Sequence, residues 1–297
     1  MTAISDYLKK IEKAYAAGNA TEHTHRPALK ELMESIAAGI TATNEPRRVK
    51  CGAPDFIITK GQSPLGYVEC KDIGKSLAEE ERTDQLKRYR ESLGNLILTD
   101  YLEFRWYAGG QYRLTVQLAT VADGKIKPVK NAARSLQELL ETFLTASIPT
   151  VNSPKELARR MAALARLIRN IIQKAFDEED LTDDEPDPLH EQLDGFRKVL
   201  IHDLTPAQFA DMYAQTICYG LFAARCNASS SERFTRQNAG YALPKTNPFL
   251  RKMFDHIAGV NLDERIVWAV DDLAELLQHT DMEAILKDFG KRTRQED

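Results

Sequence analysis

The sequence has few cysteines and no long apolar run. Its four cysteines stand apart rather than in Cys-x-x-Cys pairs, which argues against a zinc site or a disulfide framework. No apolar segment approaches the ~18 residues that a membrane span requires, and the N-terminus lacks the basic and then apolar stretch of a secretory signal. With 43% hydrophobic and 28% charged residues among 297, we expect a soluble, cytoplasmic protein of about two domains.

An excess of positive charge is also missing. The net charge of −4 by itself disfavours a nucleic-acid partner. The charges are unevenly distributed, because basic residues outnumber acidic ones in residues 1–130 and acidic ones dominate in residues 131–297. Local positive patches, rather than the total charge, decide affinity for DNA. The composition therefore leaves a DNA-binding first half open.

Apolar residues change their spacing along the chain. The first 45 residues have helical periodicity, with helices expected over Asp6–Ala17 and from about Pro27 to Gly39, where Pro27 fits the first turn. Short β-type runs then surround one helix over Leu77–Leu93. The predicted strands are Phe56–Thr59, Leu65–Lys71, Asn95–Thr99, Tyr101–Tyr107 and Tyr112–Val121, with a hairpin turn at Ala108–Gln111.

From residue 131 onward the pattern predicts only helices. Ser153-Pro154-Lys155-Glu156 and Thr205-Pro206-Ala207-Gln208 are capping boxes with proline in the first helical position. An acidic linker is expected over residues 177–188, and a pair of helices over Leu262–Phe289. We therefore expect an α/β domain over residues 1–148, with a mixed central sheet flanked by helices, followed by an all-α domain over residues 149–297.

Two acids and a lysine fall at the ends of neighbouring predicted strands. Asp55 opens the first strand, and Glu69 and Lys71 end the next one fourteen to sixteen positions later. Side chains alternate between the faces of a strand, so Glu69 and Lys71 point the same way while Val68 and Cys70 point into the core. The intervening turn folds the two strands together, and we expect the acids to meet at one edge of the sheet.

This combination suits metal-assisted hydrolysis of a phosphodiester. Two carboxylates with an open side match the oxygen ligands that Mg²⁺ prefers. A lysine beside them can stabilise the charge that develops on the phosphate, or position and deprotonate a water. The ordinary alternative is a turn aspartate and an exposed cross-strand ion pair. Two features favour chemistry: both acids adjoin apolar runs, where burying a charge is costly, and Gln85 and Tyr89 follow on one helix face.

Pro54-Asp55, Glu69-Cys70-Lys71 and Gln85-Leu86-Lys87-Arg88-Tyr89 together resemble the PD-(D/E)xK nucleases, in the branch with a downstream Gln-xxx-Tyr motif. The resemblance implies a restriction-endonuclease-like fold in which Asp55 and Glu69 bind Mg²⁺, with Mn²⁺ as a substitute. It also implies that Lys71 is catalytic and that Gln85 and Tyr89 arrange the site or the DNA. That family often adds a metal-binding acid from its first helix. Glu22 is the candidate here and Glu31 and Glu34 are weaker ones, although each also fits a solvated helix acid.

Five basic residues near these motifs are candidates for contacts with DNA phosphates. They are Lys87, Arg88, Arg90, Arg47 and Arg48. A run of charges is more often a solvated face, and that alternative stays open. His23 and His25 beside Glu22 suggest a metal site, but alternating histidines at a helix start more often cap the helix or lie on the surface.

Residues 205–225 resemble the helical segment of single-chain restriction–modification enzymes, type ISP and related type IIG, that links the nuclease to an N6-adenine methyltransferase. The ordinary alternative is an amphipathic core helix, because Phe209, Met212, Tyr213 and Ile217 have helical spacing. No glycine-rich loop for S-adenosylmethionine is present, and Asn247-Pro248-Phe249 lacks the second proline of the methyltransferase loop. The resemblance thus implies the front portion of a longer enzyme. Its methyltransferase, S-adenosylmethionine and target-recognition modules would lie C-terminal to this chain or on a separate subunit.

The sequence therefore favours a Mg²⁺-dependent endonuclease that cuts double-stranded DNA as the nuclease portion of a restriction–modification enzyme. Two alternatives remain. The first is a non-catalytic module that grips DNA or braces an N6-adenine methyltransferase. The second is a helical interaction scaffold in residues 131–297, which is compatible with either function.

Overall fold

The computed structural model describes residues 3–44, 53–61, 63–146, 150–177, 187–199, 201–229, 232–243, 254 and 262–292. These separate into two compact units. The first unit is made of residues 3–44, 54–61 and 63–146, and the second contains the described residues from 150 onward. The predicted domain boundary lies outside the described residues.

Two helices open the first unit, α1 (Ala3–Ala16) and α2 (Glu22–Ile36). The prediction that Pro27 lies in the first turn of α2 is wrong, because α2 begins five residues earlier and Pro27 lies inside it. Thr21 caps the start of the helix, and its backbone N–H donates to Thr24 Oγ1 at 3.1 Å. Proline inside a helix forfeits one backbone hydrogen bond, but the buried apolar residues farther along α2 hold it in place.

Six strands form one sheet in which the spatial order is the chain order. They are β1 (Ile40–Asn44), β2 (Phe56–Lys60), β3 (Ser63–Cys70), β4 (Asn95–Thr99), β5 (Glu103–Ala108) and β6 (Gln111–Gln117). β3 and β4 are parallel and the other neighbours are antiparallel, which confirms a mixed sheet. The interpretation of the first 45 residues as entirely helical is wrong, because β1 pairs with β2 along its whole length. Its five residues are too few to display a clear period in the sequence.

The predicted helix over Leu77–Leu93 is instead two helices, α3 (Leu77–Glu80) and α4 (Asp84–Ser92). The break falls where Thr83 Oγ1 accepts a hydrogen bond from the Leu86 backbone N–H at 3.3 Å, since a threonine side chain that caps a new helix competes with continuing the old one. The hairpin turn between β5 and β6 is confirmed, and Gly109 and Gly110 there have φ of 60° and 77°, which glycine adopts without strain.

The first unit ends with a small hairpin, β7 (Ala119–Ala122) and β8 (Lys125–Pro128), and the helix α5 (Ala132–Thr145). The predicted strand over Tyr112–Val121 is thus divided between β6 and β7. Helices α1, α2 and α5 share one hydrophobic core with the sheet. Val68 and Cys70 belong to this core, as the alternation of β3 predicts.

The described elements of the second unit are helices, apart from an isolated bridge between Val151 and Thr280. They are α6 (Pro154–Asp177), α7 (Pro188–Val199), α8 (Pro206–Asn227), α9 (Arg236–Ala242), α10 (Glu264–Gln278) and α11 (Met282–Arg292). The capping box of α8 and the final pair of helices are confirmed. Most of the predicted acidic linker, and all of Asn247-Pro248-Phe249, lie outside the described residues. In the described part of the chain, each helix is too short or too polar to cross a membrane.

Candidate active site

The candidate site lies where the parallel strands β3 and β4 end. The backbone N–H of Lys71 donates to the carbonyl oxygen of Thr99 at 2.8 Å, so the strand pairing continues one residue beyond β3. Lys71 and Glu69 therefore project to the same side. The ammonium Nζ of Lys71 donates to Glu69 Oε1 at 2.9 Å.

Asp55 joins this pair from the residue that precedes β2. Its Oδ2 accepts a hydrogen bond from the backbone N–H of Cys70 at 2.6 Å, which fixes the carboxylate beside the end of β3. The side chain is 13% exposed. The structure thus brings together the three residues that the strand pattern singled out, Asp55, Glu69 and Lys71.

Helix α4 supplies two further predicted residues. Gln85 Nε2 lies 3.3 Å from Glu69 Oε1 and 3.2 Å from the hydroxyl oxygen of Tyr89, and Tyr89 is almost fully buried. The four-residue spacing places both side chains on one face of the helix. Gln85 therefore links the predicted helix motif directly to the Glu69 carboxylate.

Helix α2 contributes Glu22, and with it an arginine that the sequence analysis missed. Arg26 Nη2 donates to Glu22 Oε1 at 2.6 Å and also to Asp55 Oδ1, and Arg26 Nη1 lies 3.5 Å from Asn44 Oδ1. The arginine is only 3% exposed. A basic residue four positions after an acid at a helix start was a signal for the pair, but the contact with Asp55 depends on tertiary packing.

Burial dominates the electrostatics of the two acids. Glu69 is 4% exposed, and its burial, followed by the nearby charge of Asp55, raises its pKa to about 8. Burial also raises the pKa of Asp55, although the Cys70 N–H and Arg26 oppose the shift. Burial alone would lower the pKa of Lys71, but the charges of Glu69, Glu80 and Asp55 outweigh it and the pKa is raised.

The two carboxylate oxygens of Glu69 differ in their hydrogen bonding. Oε1 accepts from Lys71 and Gln85, whereas the buried Oε2 has no hydrogen-bond partner among the described residues. Buried polar atoms are nearly always paired, so this oxygen is an available ligand position. Among the residues that the structure describes, no group of three or more His, Cys, Asp or Glu side chains is arranged to hold a metal ion. Any ion here would therefore rely on few protein oxygens.

The two histidines have different surroundings. His23 is exposed, but the interpretation of His25 as a surface or capping residue is wrong. His25 is buried, its ring lies 5.1 Å from the ring of Tyr101, and burial lowers its pKa despite the opposing charge of Asp72. Helical spacing places His25 on the same buried face of α2 as Ala28, Leu29 and Leu32.

The residues predicted to contact DNA differ in their solvent exposure. Lys87 and Arg88 are exposed on α4, and Lys87 lies 3.6 Å from Asp84. Arg90 is half-buried, with its guanidinium 4.9 Å from the centre of the Tyr107 ring. Arg47 and Arg48 lie outside the described residues. Of the described residues in this set, Lys87 and Arg88 have the exposure that a phosphate contact needs.

Comparisons with known proteins give local similarities. No family model matches the chain. The human NBPF family members NBPF11 and NBPF26 are each 30% identical to it, over 123 and 119 residues. These matches cover 41% and 40% of this chain but 14% and 7% of the two human proteins, so the chain spans about a seventh or less of either of them.

Among solved structures, the chain is similar to one from the cryo-electron microscopy structure of a DrdV–DNA complex. The identity is 22% and the TM-score 0.39, over 49% of this chain and 97% of that chain. Neither the short matches to the human proteins nor this TM-score assigns a family or an activity to the protein.

Proposed function

We propose that the first unit is a metal-dependent endonuclease that hydrolyses phosphodiester bonds of double-stranded DNA. One observation carries the proposal: the buried Glu69 carboxylate is held through Oε1 by Lys71 and Gln85, while Oε2 has no partner among the described residues. An acid in this state is costly for a folded protein. A bound cation offsets that cost, which gives a reason for the arrangement.

The donor set fits Mg²⁺, with Mn²⁺ as a substitute, because it consists of carboxylate oxygens. Asp55 and Glu69 would hold the ion. Glu22, whose carboxylate contacts the same arginine as Asp55, would join them only after a shift of the side chains, because no three acids among the described residues are arranged to hold a metal. When bound, such an ion polarises a phosphoryl group and makes a neighbouring water more acidic.

The electrostatics favour one of the two roles considered for Lys71. Its pKa is raised, so the ammonium keeps its proton at neutral pH and is a poor base. A fixed cation is suited to stabilising the negative charge that develops on a phosphate during hydrolysis. We therefore assign charge stabilisation to Lys71, and orientation of the Glu69 carboxylate to both Lys71 and Gln85.

The wider context is part of the same proposal. Exposed Lys87 and Arg88 lie on the helix that carries Gln85, where contacts with DNA phosphates would position the duplex. We propose that the protein is the nuclease portion of a restriction–modification enzyme, with N6-adenine methyltransferase and target-recognition modules as partners. In the described structure Phe209, Tyr213 and Ile217 are buried in the second unit, so the face of α8 that carries them serves the core of that unit.

A plasmid assay tests the proposal. The chain is incubated with supercoiled plasmid in Mg²⁺, in Mn²⁺ and in EDTA, and nicked and linear products are quantified. We expect cleavage in either metal and none in EDTA, and Lys71→Ala should slow it by about 100- to 1000-fold. Lys75→Ala is the matched control, because Lys75 is an exposed lysine of the same segment, and it should cut like wild type.

Two results would contradict the assignment. One is a Lys71→Ala variant that cuts at the wild-type rate. The other is a wild-type protein that binds plasmid without nicking it in either metal, which would instead fit the non-catalytic module that grips DNA or braces a methyltransferase.

A further inference from the structure

Arg26 links two acids that come from different parts of the first unit. Its Nη2 donates to Glu22 Oε1 at 2.6 Å within α2 and to Asp55 Oδ1 before β2. The contact of Nη1 with Asn44 Oδ1 is long, at 3.5 Å. One nitrogen, Nη2, therefore contacts both carboxylates.

This nitrogen opposes the repulsion between the two carboxylates. Two negative charges that are held close together repel and separate unless a cation lies between them. Asp55 is held on its other oxygen by the Cys70 N–H at 2.6 Å. Arg26 and the β3 backbone thus hold both oxygens of Asp55 and set the plane of its carboxylate.

We propose that Arg26 is a positioning residue, which orients Asp55 so that it can share a divalent cation with Glu69. This inference rests on the proposed function. A different consequence of the same geometry would be competition, in which the guanidinium takes the place of the ion. The two roles predict opposite changes in ion affinity when Arg26 is replaced. Loss of a positioning residue weakens ion binding, whereas loss of a competing positive charge strengthens it.

Mn²⁺ binding to the full chain separates these outcomes. The free Mn²⁺ signal is followed by electron paramagnetic resonance during a titration of wild type, Arg26→Met and Arg26→Lys. Methionine preserves the length and apolar packing of the stem but donates nothing. Lysine supplies one nitrogen, which can replace Nη2 between the Glu22 and Asp55 carboxylates. We expect Arg26→Met to weaken binding by about 10- to 100-fold and Arg26→Lys to recover most of that loss.

A purely structural role gives another pattern, because methionine would then preserve packing at least as well as lysine. Arg160→Met is the matched control, since Arg160 is a buried arginine of the second unit, and its Mn²⁺ affinity should equal that of wild type. Circular dichroism and melting temperatures establish that each variant is folded. If Arg26→Met does not fold, Arg26→Lys is compared with and without Asp55→Asn, and it should cause no further loss of affinity in the Asp55→Asn protein.

The results that would overturn the inference are distinct from those against the nuclease. Equal or tighter Mn²⁺ binding by Arg26→Met, or equal losses in the methionine and lysine variants, removes the positioning role and leaves the proposed function intact. A further loss of Mn²⁺ affinity when Arg26→Lys is introduced into the Asp55→Asn protein would also contradict the positioning role. A wild-type protein that does not bind Mn²⁺ contradicts both the positioning role of Arg26 and the proposed function.

Discussion

Buried ionic clusters in the two units differ in how completely they are paired. In the second unit, Arg265 donates to Asp263 at 2.7 Å and to Asp187 at 2.5 Å. Burial would raise the pKa of Asp187, but the hydrogen bonds from Arg265 and the Leu189 N–H lower it below its usual value. In the first unit the balance is reversed, because burial and Asp55 raise the pKa of Glu69 to about 8 despite Lys71.

The difference distinguishes a cluster whose ion pairs stabilise the fold from one that, in the proposed function, binds a metal ion. A raised pKa alone is insufficient evidence, since burial also raises the pKa of Asp271 in the second unit, where Arg236 donates to it at 2.8 Å. Glu69 is distinguished by its buried Oε2, which lacks a partner among the described residues, and by the convergence of several acids. The unpartnered oxygen, and not the raised pKa, is therefore what distinguishes Glu69 from Asp271.

The largest expected effect concerns the cluster that Arg265 forms with Asp263 and Asp187 in the second unit. Arg265→Gln leaves the buried Asp263 without its main partner, and we expect it to lower the free energy of unfolding by about 3 kcal/mol and the melting temperature by roughly 5–10 °C. Differential scanning calorimetry measures the shift. Plasmid cleavage below the melting transition should be unchanged.

Arg134→Gln is the control, because Arg134 is an exposed arginine in a surface ion pair that contributes little. If both arginine variants melt at the same temperature as wild type, the cluster around Arg265 is not a stabilising one and the comparison fails.

The next largest effect concerns Glu69 in the first unit, and it depends on pH. An unfolded chain releases the Glu69 proton near pH 4.5, whereas the folded protein retains it to about pH 8. The stability contributed by this group is therefore complete below pH 4.5 and is lost as pH rises through 8. Glu69→Gln removes the titration, so its free energy of unfolding relative to wild type should increase by about 1–3 kcal/mol between pH 5 and pH 9.

Urea unfolding in EDTA at the two pH values measures this change. Glu138→Gln, at an exposed acid of α5, is the control and should show no comparable dependence. A Glu69→Gln difference that is flat with pH would show that Glu69 is ionised in the folded protein without a metal.

The smallest effect sharpens the division of roles around Glu69. Gln85→Ala removes a hydrogen bond to Glu69 Oε1 but leaves the Lys71 contact in place. We expect the cleavage rate to fall by about tenfold, well short of the Lys71→Ala effect. Gln137→Ala, on the exposed face of α5, is the matched control, and single-turnover cleavage rates give the comparison. A loss as large as that of Lys71→Ala would contradict a supporting role for Gln85.

The relative positions of several residues of the candidate site were predictable because local backbone rules determine them. Strand alternation put Glu69 and Lys71 on one face, and their 2.9 Å contact agrees with it. Helical spacing put Gln85 and Tyr89 together, as their 3.2 Å contact shows. These rules depend only on backbone geometry within one element.

Other features were missed because they depend on competition or on distance along the chain. The break between α3 and α4 reflects the capping of α4 by Thr83, which a continuous apolar period conceals. β1 is defined by its pairing with β2, since five residues carry little periodic signal.

The sequence by itself determined which chemical groups are available and which of them share a face, because the repeat of a strand or helix is a property of the local backbone. Only the tertiary structure decided that Arg26 touches Asp55, 29 positions away, and that one oxygen of Glu69 is buried without a partner. Those outcomes follow from how α2 and α4 pack around the ends of β2 and β3, and packing across elements is set by the whole core rather than by any single segment.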